Sequence, residues 1–443
     1  MKLDEIFNNV KLTENGDIAY SKASSDDLLN ILFMTEYYQK HLDETPLLEP
    51  NDLNKLFAMF IRDPRHGLGR RDLGRRLLSF TKASFDDVLK CGRADDLLFM
   101  DISGVDFFNM LDFLKSEIDK NNELVKKWMP RYASKNLLLA RQIAKYWGMN
   151  KQQYGHFVKC STVEQKLSRH NCDEIKFEQV PSLAAIKYAK AFSTKPETKE
   201  RYAKYLDDVK AGKKELHVAT TNVYDIYKNR SKIDADLFFS KLEKISGSWI
   251  PIVDSSGSMQ DDNDSYGKAM AIGHYLAKCS SYAPNKVVSF SSKPQLITFG
   301  IPAKVEYGWH NPIRETNSVY EKEIASMYTG DCSNTDFGAV MQLLANLDGD
   351  MPEYLVVLSD CEFDNGSSMS KERTMQLFKE KGYTTKIVWW NLNSRHTTCP
   401  ETDANGNIFF SGYNPMLLKF LQARFDGRKF LYTLLREYAK SIF

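Results

Sequence analysis

Three separate stretches of this chain end in oxygen-bearing side chains of the kind that hold a hard divalent cation. The first is Trp249-Ile250-Pro251-Ile252-Val253-Asp254-Ser255-Ser256-Gly257-Ser258, an apolar run closing on an acid and three hydroxyls. The second, Thr329-Gly330-Asp331-Cys332-Ser333-Asn334-Thr335-Asp336, is a polar loop running into an apolar pattern, and the third, Leu358-Ser359-Asp360-Cys361-Glu362-Phe363-Asp364, follows one. Carboxylates and hydroxyls suit Mg2+, with Mn2+ or Ca2+ as close alternatives, and do not suit zinc. In open α/β sheets ligands bind beyond the carboxyl ends of the strands, so Asp254, Ser256 and Ser258 are the first candidates.

The elements needed to position such residues are readable around them. A helix pattern spans Ala269–Ala277, and β-like runs at Lys286–Phe290 and Gln295–Phe299 are close enough for a hairpin. A helix pattern follows at Phe337–Leu344, with strands at Tyr354–Leu358, Lys386–Trp390 and Ile408–Gly412, a helix around Met375–Phe378 and a last one near Met416–Ile442. Alternation of this kind predicts a doubly wound, mostly parallel, Rossmann-like sheet. The acidic run Asp261-Asp262-Asn263-Asp264 reads as a helix start capped by Asp264 or Ser265, or as charge added behind the cation loop. Residues 25–240 carry apolar positions at three- and four-residue steps with almost no strand signal, which predicts an α-solenoid or irregular helical bundle. The expected layout is a helical domain over 1–240 and an α/β domain over 245–443.

Basic chemistry concentrates in Arg62-Asp63-Pro64-Arg65-His66-Gly67-Leu68-Gly69-Arg70-Arg71-Asp72-Leu73-Gly74-Arg75-Arg76, which holds six arginines and three glycines. Guanidinium forks suit phosphate, and glycines let backbone N–H groups approach it, so an RNA backbone is one expected ligand. A solvated turn with arginines paired to Asp63, Asp72 and more distant acids is the other reading. Lys127 and Arg131 flank Trp128 and Tyr132, an interleaving that fits single-stranded RNA or an amphipathic helix with a buried Trp. RNA-contact candidates are therefore Arg62, Arg65, His66, Arg70, Arg71, Arg75, Arg76, Lys127 and Arg131.

Composition excludes little. Among 443 residues, 42% are hydrophobic and 27% charged, and the formal charge of +2 predicts neither nucleic acid nor membrane without local clustering. The 7 cysteines are scattered, without zinc spacing, which points to a reducing compartment. The N-terminus has no apolar core of signal length and no run approaches the ~20 apolar residues of a membrane span, so a cytoplasmic, soluble protein with no membrane partner is expected. No HExxH, GxSxG or P-loop pattern is present, and Gly67-x-Gly69 follows no strand, so a non-enzymatic role is expected.

The order Asp-x-Ser-x-Ser after a strand, a Thr before a helix and an Asp after a later strand resembles the metal-ion-dependent adhesion site of von Willebrand factor type A domains. That resemblance implies Asp254, Ser256, Ser258, Thr335 and Asp360 as ligands, some through water, with one coordination position left for an acidic side chain of a protein partner. The helical half before it resembles TROVE/Ro-type proteins, in which HEAT-like helical repeats form a ring that carries an A domain. It is still more similar to TROVE-related proteins of unknown function from viruses, phages and microbes. The signatures are Arg62-Asp63-x-Arg65-x-Gly67-x-Gly69-x-Arg71, Gly92-Arg93-Ala94-Asp95-Asp96-Leu97, Lys127-Trp128-Met129-Pro130, Val180-Pro181-Ser182, Ser359-Asp360-x-Glu362-Phe363-Asp364 and Trp390-Asn391-Leu392-Asn393-Ser394-Arg395. The resemblance implies a Ro-like scaffold for small or structured RNA. The alternative is a metal-dependent protein-interaction module that binds no RNA.

Overall fold

Among the described residues, the strands are β1 (Val10–Leu12), β2 (Ile18–Tyr20), β3 (Trp249–Asp254), β4 (Lys286–Phe290), β5 (Gln295–Thr298), β6 (Tyr354–Ser359), β7 (Lys386–Asn391), β8 (Thr398–Thr402) and β9 (Ile408–Ser411). The first two pair with each other, and the other seven form one sheet in the order β5-β4-β3-β6-β7-β9-β8. The computed structural model describes residues 10–12, 18–20, 50–64, 66–67, 71–81, 83–100, 104–168, 171–218, 221–300, 316–328, 336–346, 350–360, 376, 378–393, 398–402, 406–411, 413, 418, 421, 435 and 438–440. The helices expected at Met375–Phe378 and Met416–Ile442 lie largely outside these residues.

The apolar runs become central strands because both faces of the sheet are covered. Every residue of β3 and of β6 is buried. They run parallel in the register Trp249↔Tyr354 to Val253↔Leu358, and β4, β7 and β9 extend the parallel set. The two edges are antiparallel, through the expected β4–β5 hairpin and through β8. Proline belongs on edges or where a ladder bond is absent. Pro251 meets that condition inside β3 because pairing with β4 begins only at Ile252↔Val288, and Pro400 sits in the edge strand β8, which has a register shift between Thr398 and Glu401.

One face of the sheet packs Ile250, Ile252, Phe290, Val357 and Trp389 against Val340, Met341 and Leu344 of the helix Phe337–Ala345. The helix Ser265–Cys279, capped by Asp264, covers the opposite face. It comes so close that a Cβ on Gly273 would lie 2.5 Å from Val253 Cγ2. Gly273→Ala is expected to destabilise this unit by about 1–3 kcal/mol through overpacking, read as a lowered urea midpoint.

The chain divides into two compact units, one of Tyr38–Thr220 with Arg428–Phe443 and the other of Met1–Tyr37 with Thr221–Gly427. The division differs from the expected 240–245 because the helices Val223–Asn229 and Ala235–Ser240 pack with the sheet unit. The Tyr224 hydroxyl donates to Asp264 Oδ2 at 2.7 Å, and Phe239 stacks edge-on against His274 at 4.8 Å. In the helical unit, Pro50–Arg62 crosses Arg71–Phe80 at Gly74, where a Cβ would sit 2.6 Å from Arg62 Cβ. Some of its helices start on local side-chain caps, such as the reciprocal Ser84/Asp87 box before Phe85–Cys91. Tyr438 returns to this unit, its ring 5.4 Å from Phe60.

Candidate metal centre

The sheet order reverses direction between β3 and β6, which makes their carboxyl ends the switch point where ligands of such folds bind. Asp254 closes β3, and Ser359 closes β6 with Asp360 next in the chain. The parallel register brings them together. The Ser359 hydroxyl donates to Asp254 Oδ2 at 2.6 Å, and the Ser256 N–H donates to Asp254 Oδ1 at 2.9 Å. The Ser256 and Ser258 hydroxyl oxygens are 3.1 Å apart. Ser255 points the other way, its hydroxyl and N–H both donating to Phe290 O, which ties the loop to β4.

Asp254 is 0% exposed. Burial pushes its carboxyl up to about 6, the Ser359 and Ser256 hydrogen bonds pull against that, and the nearby Asp360 carboxylate adds to the rise. A buried carboxylate facing hydroxyls, an amide and a second carboxylate is costly to ionise by itself, and a divalent cation reverses that balance. Two carboxylates and paired hydroxyls form a hard-oxygen donor set that fits Mg2+ or Mn2+. The Ser291 hydroxyl, buried just past β4, has no hydrogen-bond partner among the described residues. Among the described residues no group of three or more His, Cys, Asp and Glu comes together, and the described donors at this point are Asp254, Asp360 and the hydroxyls.

Thr335 lies outside the described residues. Its neighbour Asp336 donates its N–H to Ser291 O at 3.0 Å and caps the helix Phe337–Ala345 by accepting from Ala339 N at 3.1 Å. Ser359 was not among the expected site residues, although its place before Asp360 at the end of a parallel strand is the signal that would have found it. Because Asp254 must lose its proton to bind a cation, affinity for Mn2+ is expected to fall by up to about tenfold per pH unit as pH drops below ~6, measured by calorimetry in a non-coordinating buffer.

The basic segment resolves differently. Arg62 is 2% exposed and donates from Nε to Asp96 Oδ2 at 2.8 Å, with Nη2 at 2.6 Å from the same oxygen. Arg75 reaches Asp96 Oδ1 at 2.5 Å and Asp95 Oδ2 at 2.7 Å. Arg131 donates to the carbonyls of Val158 and Lys126, the latter at 2.8 Å. The guanidiniums of these three are thus engaged inside the fold, by acids for Arg62 and Arg75 and by carbonyls for Arg131. His66 and Arg71 are exposed. Lys127 is half-buried with Nζ 5.6 Å from the Trp128 ring, over which the Arg93 guanidinium lies at 4.1 Å. Arg65 and Arg70 are outside the described residues, as is the side chain of Arg76. Asp96, the centre of the arginine cluster, was not expected from sequence.

Residues 248–430 match the family described as Domain of unknown function (DUF7788), and residues 156–253 match Domain of unknown function (DUF2828). An uncharacterized protein of Acanthamoeba polyphaga mimivirus is 24% identical across 93% of this chain and 84% of its own length. The crystal structure of the Deinococcus radiodurans Ro (RSR) protein is similar with a TM-score of 0.42 and 13% identity, covering 95% of each chain.

Proposed function

We propose that the chain is a non-enzymatic, divalent-cation-dependent binding module whose sheet unit presents a metal to an acidic side chain of a protein partner. The observation that carries this reading is the meeting of Asp254, Ser256 and Ser258 with Ser359 at the switch point, with Asp360 acting on the same carboxyl. When bound, Mg2+ or Mn2+ would supply Lewis acidity toward a carboxylate. The chain's own contribution is to hold Asp254 with hydroxyl and amide donors and to bury it from bulk water. Among the described residues no imidazole is hydrogen-bonded to the Ser256 or Ser258 hydroxyl, which supports ligand roles over nucleophilic ones. Calorimetric titration with Mg2+ and Mn2+ tests the reading, and no saturable heat with either metal would refute it.

A Ro-like RNA scaffold with HEAT-like helices is the second reading, supported by the motif resemblance and by the half-buried Trp128 with Arg93 over its ring and Lys127 beside it. Stacking and cation contacts of this kind suit single-stranded RNA. If it holds, affinity for a structured RNA falls steeply with salt, and Arg71→Ala or Lys127→Ala each reduces the log–log salt slope by about 1. A slope near zero would leave only the protein-interaction reading. No described helix is long and apolar enough to cross a membrane, and a reducing, cytoplasmic setting belongs to the same proposal.

A further inference from the structure

The helix Gly104–Asp119 of the helical unit buries Met110, Leu111, Leu114 and Ile118 and turns Val105, Phe108, Asp112 and Asp119 to solvent on one stripe. The helix Leu137–Tyr146 does the same, with Ala140, Ile143 and Ala144 inside and Leu138, Arg141, Lys145 and Tyr146 outside. The two stripes adjoin, because the Phe108 ring lies 4.8 Å from the Tyr146 ring and the Tyr146 hydroxyl donates to Asp112 Oδ2 at 3.0 Å. Val105 is 76% exposed and Leu138 71%, and Phe108 and Tyr146 keep 47% and 40% although they pack on each other. Single exposed apolar side chains are ordinary, whereas four of them on adjoining stripes mark a contact surface.

The charges say what fits it. On the first helix the stripe carries the acids Asp112 and Asp119, and on the second the bases Arg141 and Lys145. Lys120 is taken by Glu117 at 2.8 Å. Asp119, Arg141 and Lys145 have no side-chain hydrogen bond or ion pair among the described residues. An acidic row beside a basic row, with aromatic rings where they meet, is complementary to itself under a two-fold rotation, since the acids of one copy then face the bases of the other. A nucleic acid would meet the acidic row with its phosphates, and any partner of one sign would meet a like charge on one row or the other.

Size sets the strength. Helices of 16 and 10 residues, about 24 Å and 15 Å long and each about 10 Å wide, present together roughly 400 Å². That is less than the about 800 Å² per partner of a standard interface, so association belongs on the order of 10–100 μM.

We propose that this face joins two copies of the chain in a two-fold dimer, with the Phe108–Tyr146 pairs at the axis and Asp112 and Asp119 of one copy facing Arg141 and Lys145 of the other. The test is sedimentation velocity of the full chain across that concentration range in a chelating buffer, so that the cation loop takes no part. A concentration-dependent dimer is expected, weakened at least tenfold by Phe108→Glu and by Leu138→Lys. Arg141→Glu/Lys145→Glu alone and Asp112→Lys/Asp119→Lys alone should each stay monomeric, because each then presents rows of one sign. Mixing these two charge variants should restore a dimer, since acidic rows of one chain then meet basic rows of the other. All the substituted side chains are exposed, and urea midpoints close to the parent's check that the variants fold. A parent that is monomeric throughout, Phe108→Glu and Leu138→Lys proteins that dimerise as the parent does, or a mixture of the two charge variants that stays monomeric would overturn the proposal.

Discussion

Asp254→Ala is expected to abolish the stabilisation that Mg2+ or Mn2+ gives the parent protein. At a hundredfold excess over Kd, a cation bound only by the folded state contributes about 2.7 kcal/mol, or roughly 5–10 °C in the melting of a unit this size. The more telling variant is Asp254→Asn, because it separates the ligand role from the structural one. In the metal-free protein the carboxyl rises from an ordinary 3.8 to about 6, first through burial. A folded-state pKa above the unfolded value means that the folded state holds its proton more tightly. The associated stability is fully present below about pH 4 and is lost as pH rises through about 6. Above that pH, ionised Asp254 costs the metal-free fold about 3 kcal/mol, using 1.36 kcal/mol per tenfold change in proton affinity. Metal-free Asp254→Asn should therefore be more stable than the metal-free parent near about pH 7.5, and the two should converge near about pH 4. With cation at about a thousandfold excess over Kd the parent gains about 4.1 kcal/mol and the order should invert, since only the parent gains. Thermal melts at both pH values with and without Mn2+ decide this. If Asp254→Asn is less stable than the parent in every condition, Asp254 serves the loop's hydrogen bonds and not a cation.

What could be read from the sequence follows from how each element is buried. β3, β6 and β7 were legible because strands covered on both faces must be apolar throughout, and their ends were legible because the apolar run stops where the polar loop begins. β8 was not, since Thr398-Cys399-Pro400-Glu401-Thr402 contains a proline that only an edge position tolerates. The boundary between units was misplaced for a different reason. The helices at 223–229 and 235–240 have the same apolar spacing whether they pack on other helices or on a sheet, and the decisive contacts, Tyr224 to Asp264 and Phe239 to His274, are 40 and about 35 residues away in sequence. The cation loop shows the mixture within one site. Asp254, Ser256 and Ser258 announce themselves by spacing, while Ser359 becomes a partner only through the parallel register of β3 and β6.

The arginine segment carries the other large effect, through its ion pairs with an acid outside the segment. Asp96 is 0% exposed and accepts from Arg62 Nε, Arg75 Nε and the N–H of Arg93. The pocket is closed tightly on its acid, since a Cβ on Gly92 would lie 2.4 Å from Asp96 Oδ2. Removing one partner of a buried ion pair leaves an uncompensated charge and costs about 3–5 kcal/mol, a large share of a typical domain's 5–15 kcal/mol. Asp96→Ala is thus expected to lower the urea midpoint of the helical unit sharply, with Asp96→Asn intermediate because it keeps the shape but not the charge. Replacing both ends, as in Arg62→Met/Asp96→Leu, should recover much of the loss, because no buried charge is then left without its counter-ion at that end. Asp96→Ala also tests the RNA reading from the opposite direction. Were Arg62 and Arg75 phosphate ligands restrained by Asp96, freeing them would leave the fold near its parent stability and tighten RNA binding at low salt. An unchanged urea midpoint for Asp96→Ala together with tighter RNA binding would return both arginines to the RNA interface. A collapse in stability with no gain in affinity fixes them as the clamp between the helix Pro50–Arg62 and its neighbours.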